Sequence, residues 1–155
     1  MKLEQQQRVP LGIWLIISFF VLSITIWIVG QAGALFAYDA VAAFGLQETR
    51  ESVDPVVVEV NRGIAFADVV IQVPLFVLAI IGLWRLRFFG AVAAWLAMGV
   101  HMYWPTAAWA KQYFYLKAGV KCEPFAVSLH GILAFFFFCS VWASWYLYRN
   151  RQLFR

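Results

Sequence analysis

Residues 11–38 read LGIWLIISFFVLSITIWIVGQAGALFAY and contain no Asp, Glu, Lys or Arg. A helix of about 20 mostly apolar residues is long enough to cross the hydrocarbon core of a bilayer. Three further stretches meet this requirement, at residues 64–84, 88–110 and 124–148. In lipid, only helices and closed barrels satisfy their own backbone hydrogen bonds. The sequence therefore predicts an all-α, polytopic membrane protein, a single domain built as a bundle of four transmembrane helices.

The composition of the whole chain supports this assignment. Of its 155 residues, 64% are hydrophobic and only 13% are charged, with a net charge of +4. A soluble domain has roughly 25% charged residues, so too few charges are present to cover a water-exposed surface or to keep a chain disordered. No basic run indicates a nucleic-acid partner. Cys122 and Cys139 are too far apart along one helical stretch to form a disulfide.

The positions of Lys and Arg near the span ends predict the orientation. The side that holds both termini and the short turn after residue 84 carries seven basic residues and one acid: Lys2, Glu4, Arg8, Arg85, Arg87, Arg149, Arg151 and Arg155. The opposite side carries five basic and seven acidic residues. Both termini are therefore expected in the cytoplasm, with residues 39–63 as an outer loop.

Ionisable side chains inside spans are costly and are functional candidates by default. At 1.5 Å per residue, Asp68, His130 and His101 lie roughly 6, 9 and 13 Å inside the outer ends of their spans, and Asp39 ends the first span. Gln72 lies one turn below Asp68 on the same helix face. We therefore expect one polar pocket in the outer half of the bundle, open outward or sideways into the lipid.

Each of these side chains also has a purely structural explanation. Asp68 could extend to interfacial water, and Asp39 could cap the loop after the first span. His101 could bond a carbonyl of a neighbouring helix, as could His130. Gln72 could tie two helices together. Their common depth is what favours a shared site.

The segment Asp68-Val-Val-Ile-Gln72-Val-Pro74-Leu-Phe76 resembles the second-span signature of the EXPERA family, which includes the emopamil-binding sterol isomerases and the sigma-2 receptors. The signature is an acid, a Gln four residues later, and a Leu-Pro pair followed by aromatics; here Val73 replaces the Leu. Three further segments resemble the same family: Leu35-Phe36-Ala37-Tyr38-Asp39, Asp54-Pro55 and Gly99-Val100-His101-Met102.

The resemblance implies a membrane cavity with two acids, in which Asp39 and Asp68 form a carboxyl pair that shares a proton. Two neighbouring carboxyl groups in a low-dielectric site do not both ionise readily, whereas a bound cation would allow both to carry a charge. The ligand-binding residues implied are Asp39, Asp54, Asp68, Gln72, His101, Tyr103 and Trp104. The partner would be a sterol or another lipid or amine, and the protein would form a homodimer. The family points to the endoplasmic reticulum; the short tails suit a bacterial inner membrane equally.

Three functions follow from these residues. The first is binding of a sterol-like or amphipathic, cationic lipid. The alternative is a sterol-type double-bond isomerase in which Asp68 and His101 are the catalytic acid and base. Neither needs a cofactor or a metal ion. The third has His101 and His130 ligate a haem, or a metal together with Asp68, in a subunit of a membrane complex.

Overall fold

The computed structural model describes residues 8–155, and every regular element among them is helical. Five helices follow one another along the chain: α1 (Leu11–Phe36), α2 (Tyr38–Ala43), α3 (Pro55–Trp84), α4 (Phe88–Ala118) and α5 (Val127–Arg149). A single 3-10 turn, Arg151–Leu153, follows α5. The all-α prediction is therefore confirmed for the described part of the chain.

Three helices, α1, α3 and α5, are long and apolar enough to cross a membrane, with 26, 30 and 23 residues. The prediction of an integral membrane protein rests on these three. The remaining predicted span, residues 88–110, lies within α4, a helix of 31 residues. Lys2 and Glu4, which contributed to the predicted orientation, lie outside the described residues.

Helix α3 begins at Pro55, well before the predicted start of the second span at residue 64. Its first turn is set by the sequence, because proline suits the first helical position and Asp54 caps the helix. The Asp54 carboxylate accepts a hydrogen bond from the backbone N–H of Val56 at 3.0 Å. Val57 and Val58 are buried in this first part of α3, so apolar packing extends the helix into the predicted outer loop.

The long helices form a bundle in which α3 packs against both α1 and α4, and α4 packs against α5. Helix α1 touches α5 only lightly, which leaves a gap between these two helices. All four contribute fully or almost fully buried apolar side chains to one core, among them Ile16, Phe20, Phe76, Leu83, Ala94, Met98, Phe136 and Leu147.

Two glycines allow α3 and α4 to approach each other closely. A side chain at Gly82 of α3 would overlap the backbone of Gly90 in α4, and a side chain at Gly90 would overlap that of Gly82. The turn at Arg85–Arg87 can therefore bring the two helices together with their backbones in direct contact.

We expect Gly82→Ala to destabilise the protein, because an added methyl group must push two backbones apart. Overpacking of this kind costs about 1–3 kcal/mol. Gly99→Ala is the matched control, since a Cβ at Gly99 meets no atom within 4 Å; it should leave the midpoint of thermal unfolding in detergent unchanged or raise it slightly. Equal midpoints for the two variants would contradict the close contact.

Candidate functional site

Two π-helical sections interrupt the long helices at facing positions. One covers Trp27–Ala32 in α1 and the other covers Asp68–Gln72 in α3, and the two sections contact each other. Such sections are frequent at functional sites, because they change which side chains point inward. Here they direct Trp27, Asp68 and Gln72 into the bundle, where all three are buried.

His101 of α4 lies in the middle of the bundle and is fully buried. The rings of Phe19, Trp27, Phe76 and Phe136 surround it, with centroid distances of 4.9–5.2 Å to the imidazole. Neither imidazole nitrogen has a hydrogen-bond partner among the described residues. His101 therefore stands as a polar group enclosed by aromatic faces.

Gln72 ties α3 to α4 one helical turn from His101. Its side-chain amide donates a hydrogen bond to the carbonyl of Ala97 at 2.9 Å, while its Oε1 has no partner in residues 8–155. The bond fixes the amide, so the unpaired oxygen has a defined direction. Gln72 thus combines the expected role of joining helices with a spare acceptor.

Asp68 and Trp27 complete this group. Asp68 is 7% exposed, and the Trp27 side chain faces its carboxyl group. Trp27 Nε1 and Asp68 Oδ2 also have no hydrogen-bond partner within the described chain. We call Trp27, Asp68, Gln72 and His101 the polar cluster. A buried polar atom without a partner costs about 1–3 kcal/mol, so the cluster carries a local cost in stability.

The sequence pointed to Asp68, Gln72 and His101 but missed Trp27. The signal was available, because tryptophan in membrane proteins is enriched at the two interfaces, and Trp27 lies deep within the first apolar stretch. Trp104, a predicted ligand residue, packs on the Trp27 ring at 5.4 Å and borders the cluster.

Asp39 does not join Asp68. Helix α1 ends at Phe36, and the chain turns onto α2, where the Asp39 side chain is 78% exposed and accepts a hydrogen bond from Arg50 Nε at 2.8 Å. The predicted proton-sharing pair of Asp39 and Asp68 is therefore wrong. A carboxylate at a span end is more stable in water beside a guanidinium than buried beside a second acid.

Two other predicted ligand residues lie away from the polar cluster. Asp54 caps the start of α3, and Tyr103 is an exposed side chain on the outer surface of α4. Their positions follow from local geometry: a helix start uses the carboxylate of Asp54, and the face of α4 that carries His101 is not the face that carries Tyr103.

His130 and His101 do not share a site. His130 is exposed near the start of α5, and its Nδ1 accepts a hydrogen bond from the indole of Trp109 at 3.0 Å. His101 is sealed among aromatic rings. No group of three His, Cys, Asp or Glu residues suited to a metal ion occurs in residues 8–155. The geometry therefore offers nothing in favour of a haem or metal bridging the two histidines.

An apolar groove of about 300 Å³ runs along the gap between α1 and α5. Its wall is formed by Leu15, Phe19, Leu22, Phe135, Cys139 and Trp142, among others. Phe19 borders the polar cluster, because its ring also contacts His101. One aromatic side chain thus lies between the groove and His101.

Comparisons of the chain with models of protein families, with curated proteins and with solved structures return no match.

We expect His101→Leu to raise the thermal stability of the ligand-free protein. The substitution removes two buried nitrogens that have no partner in the described chain and keeps a side chain of similar volume. A gain of about 1 kcal/mol corresponds to roughly 2–4 °C for a domain of this size. His130→Leu, at an exposed position, should produce no such gain. A lower unfolding midpoint for His101→Leu would show that the imidazole is paired in the native protein.

Proposed function

We propose that this chain binds a sterol-like or amphipathic, cationic lipid within the membrane. The polar end of the ligand lies at the polar cluster, and its apolar body lies in the groove between α1 and α5. The observation that carries the proposal is the set of unpaired polar atoms on Asp68, Gln72 and His101, of which His101 contacts Phe19 in the wall of an apolar groove.

The chemistry of the two parts fits such a ligand. Binding sites for small molecules are mostly apolar, with a few placed polar groups that set orientation. The groove supplies apolar and aromatic walls for a flat hydrocarbon. Asp68 Oδ2 and Gln72 Oε1 are acceptors for a hydroxyl or ammonium donor, and the rings around His101 favour a positive charge. A neutral hydroxyl and a cationic amine are both suited to this arrangement.

Access requires only a side-chain rotation. Phe19 lines the groove, contacts the His101 ring and is only partly buried, on the side where α1 and α5 barely touch. Rotating its ring toward the lipid joins the groove to the polar cluster without moving a helix. The ligand therefore enters sideways from the bilayer.

The membrane arrangement is part of the same proposal. Helix α4 serves as the fourth span, since it packs between α3 and α5 and buries Ala91, Ala94 and Ala97 completely. It is less apolar than the others, and its charged residues, Lys111 and Lys117, lie in its C-terminal part, beyond residues 88–110. Both termini are cytoplasmic, because the basic residues of the tails and of the Arg85–Arg87 turn lie on one side. The membrane is the endoplasmic reticulum in a eukaryote or the inner membrane in a bacterium.

The likeness of the Asp68–Phe76 and Gly99–Met102 segments to the EXPERA family supports the proposal, and membership of that family is included in it. The site differs from the family expectation in having one buried acid, Asp68. A single carboxylate still orients a cationic or hydroxyl group, so the ligand class is unchanged.

A sterol-type double-bond isomerase is the second candidate, and the aromatic rings around His101 favour it. In that reaction protonated Asp68 donates a proton to one alkene carbon, and a carbocation forms among the aromatic faces. His101 then takes a proton from a neighbouring carbon, which restores a double bond at a new position. Binding and isomerisation would use the same residues.

Binding of a tritiated sterol and of a lipophilic amine to the protein in nanodiscs tests the proposal. We expect Asp68→Asn to weaken amine binding at least about tenfold, because a hydrogen bond to a charged group contributes roughly 1.5–3 kcal/mol. Glu123→Gln neutralises an acid away from the polar cluster and should bind like the parent. Binding that is unchanged in Asp68→Asn, His101→Leu and Gln72→Leu would overturn the proposal.

Turnover of a Δ8 sterol separates the two candidates. The isomerase requires a shifted double bond in the parent protein and none in Asp68→Asn, with sterol binding retained. Sterol that binds and is recovered unchanged from the parent protein supports the binding function alone.

A further inference from the structure

We infer that a second pocket, at the end of α1, binds the phosphate group of an anionic phospholipid from the surrounding bilayer. We call it the interfacial pocket. It has a volume of about 310 Å³ and is lined by Phe36, Tyr38, Asp39, Ala40, Arg50 and Arg62, among others. It shares no residue with the polar cluster or the groove, so this inference stands or falls separately from the proposed function.

The exposed residues below the pocket place it at the level of the lipid headgroups. On α3, Arg62 is followed on the same helix face by Phe66 and Val70, which are 61% and 53% exposed. In a membrane-spanning helix, exposed apolar residues face lipid. Arg62 therefore ends a lipid-facing stripe, in the position where long basic side chains extend to the interface. Phe36, 87% exposed, ends α1 beside it.

Arg50 is held in place with most of its donors still accessible. Asp39 accepts a hydrogen bond only from Arg50 Nε, and the guanidinium lies 4.9 Å from the centroid of the Tyr38 ring. Both contacts orient the guanidinium plane while its two terminal nitrogens make no hydrogen bond within the described chain. A pre-oriented guanidinium fork is the side-chain group best matched to phosphate oxygens.

Arg62 supplies the second guanidinium. Its Nη1 bonds the carboxylate of Glu59 at 2.9 Å, in a pair that lies one turn apart on the helix and is open to solvent. Exposed pairs of this kind contribute little to stability, so a phosphate competes readily for the guanidinium. Its Nε and Nη2 are outside that pair.

The guanidinium groups of the pocket favour a phosphate with no ammonium of its own. Arg50, Arg62 and Asp39 line the pocket, and Glu59 pairs with Arg62, so the four charges balance until a lipid phosphate displaces Glu59 from the Arg62 guanidinium. The phosphate of a zwitterionic lipid is already accompanied by an ammonium, whereas that of phosphatidylglycerol is not. The apolar edge at Leu35 and Phe36 continues to the lipid-facing surface. It lets the glycerol and acyl chains of a bound lipid return to the bilayer.

Native mass spectrometry of the full-length protein in detergent tests the inference, with phosphatidylglycerol, phosphatidylcholine and glycerol 3-phosphate as separate probes. We expect one high-affinity phosphatidylglycerol, much weaker phosphatidylcholine, and no stable complex with glycerol 3-phosphate. Arg50→Gln and Arg62→Gln should each weaken phosphatidylglycerol at least about fivefold, as expected for loss of a charge-assisted hydrogen bond. Arg87→Gln removes the same charge from the other end of the bundle and should bind like the parent.

Arg50→Lys and Arg62→Lys keep the charge but lose the fork, and we expect intermediate weakening. Unfolding midpoints without lipid show whether each variant is folded. Equal binding of the two phospholipids would overturn the inference, as would phosphatidylglycerol binding that the Arg50→Gln/Arg62→Gln double variant retains. Tight binding of glycerol 3-phosphate by the parent would assign the pocket to a soluble anion instead.

Discussion

A polar side chain in hydrocarbon has no water to bond, and this constraint organises the whole molecule. The helices of the bundle expose apolar residues on the outside and bury Asp68, Gln72 and His101 on the inside. Aromatic residues fill the space around them, because a few large rings enclose an imidazole more completely than many small side chains. The helix arrangement, the aromatic core and the position of the candidate site all follow from this need.

The protein retains these polar atoms although an apolar core would be more stable. In native proteins, residues that lower the local stability are expected at functional sites. The two π-helical sections strengthen this interpretation, since they lie where Trp27 and Asp68 face each other. Polar groups at the centre and an apolar groove at their edge suit a ligand that is itself mostly apolar with one polar end. The interfacial pocket is lined by two arginines and an aspartate and has a smaller apolar edge, so it suits a lipid headgroup.

Asp39 illustrates how far sequence reasoning reached. Its place at the end of an apolar stretch, and the motif around it, put it near Asp68 in depth. The turn at Ala37 and the arginine eleven residues later carry it to the surface. The position of a residue along a helix axis follows directly from its residue number. Whether its side chain points inward or outward depends on which elements pack beside the helix. Gln72 was grouped correctly because it shares both helix and face with Asp68.

The sequence by itself determined that this chain is helical, with helices long and apolar enough to cross a membrane, and it singled out Asp68, Gln72 and His101, which the structure buries. Only the tertiary structure decided that Trp27 completes the cluster, that Tyr103 and His130 face outward, and that α1 and α5 leave a groove between them. The physical reason is that the apolar stretches are hydrophobic nearly all round, so their pattern does not specify an inner face. That face is chosen by close contacts such as the one between Gly82 and Gly90, and by π-helical sections that shift the phase of a helix.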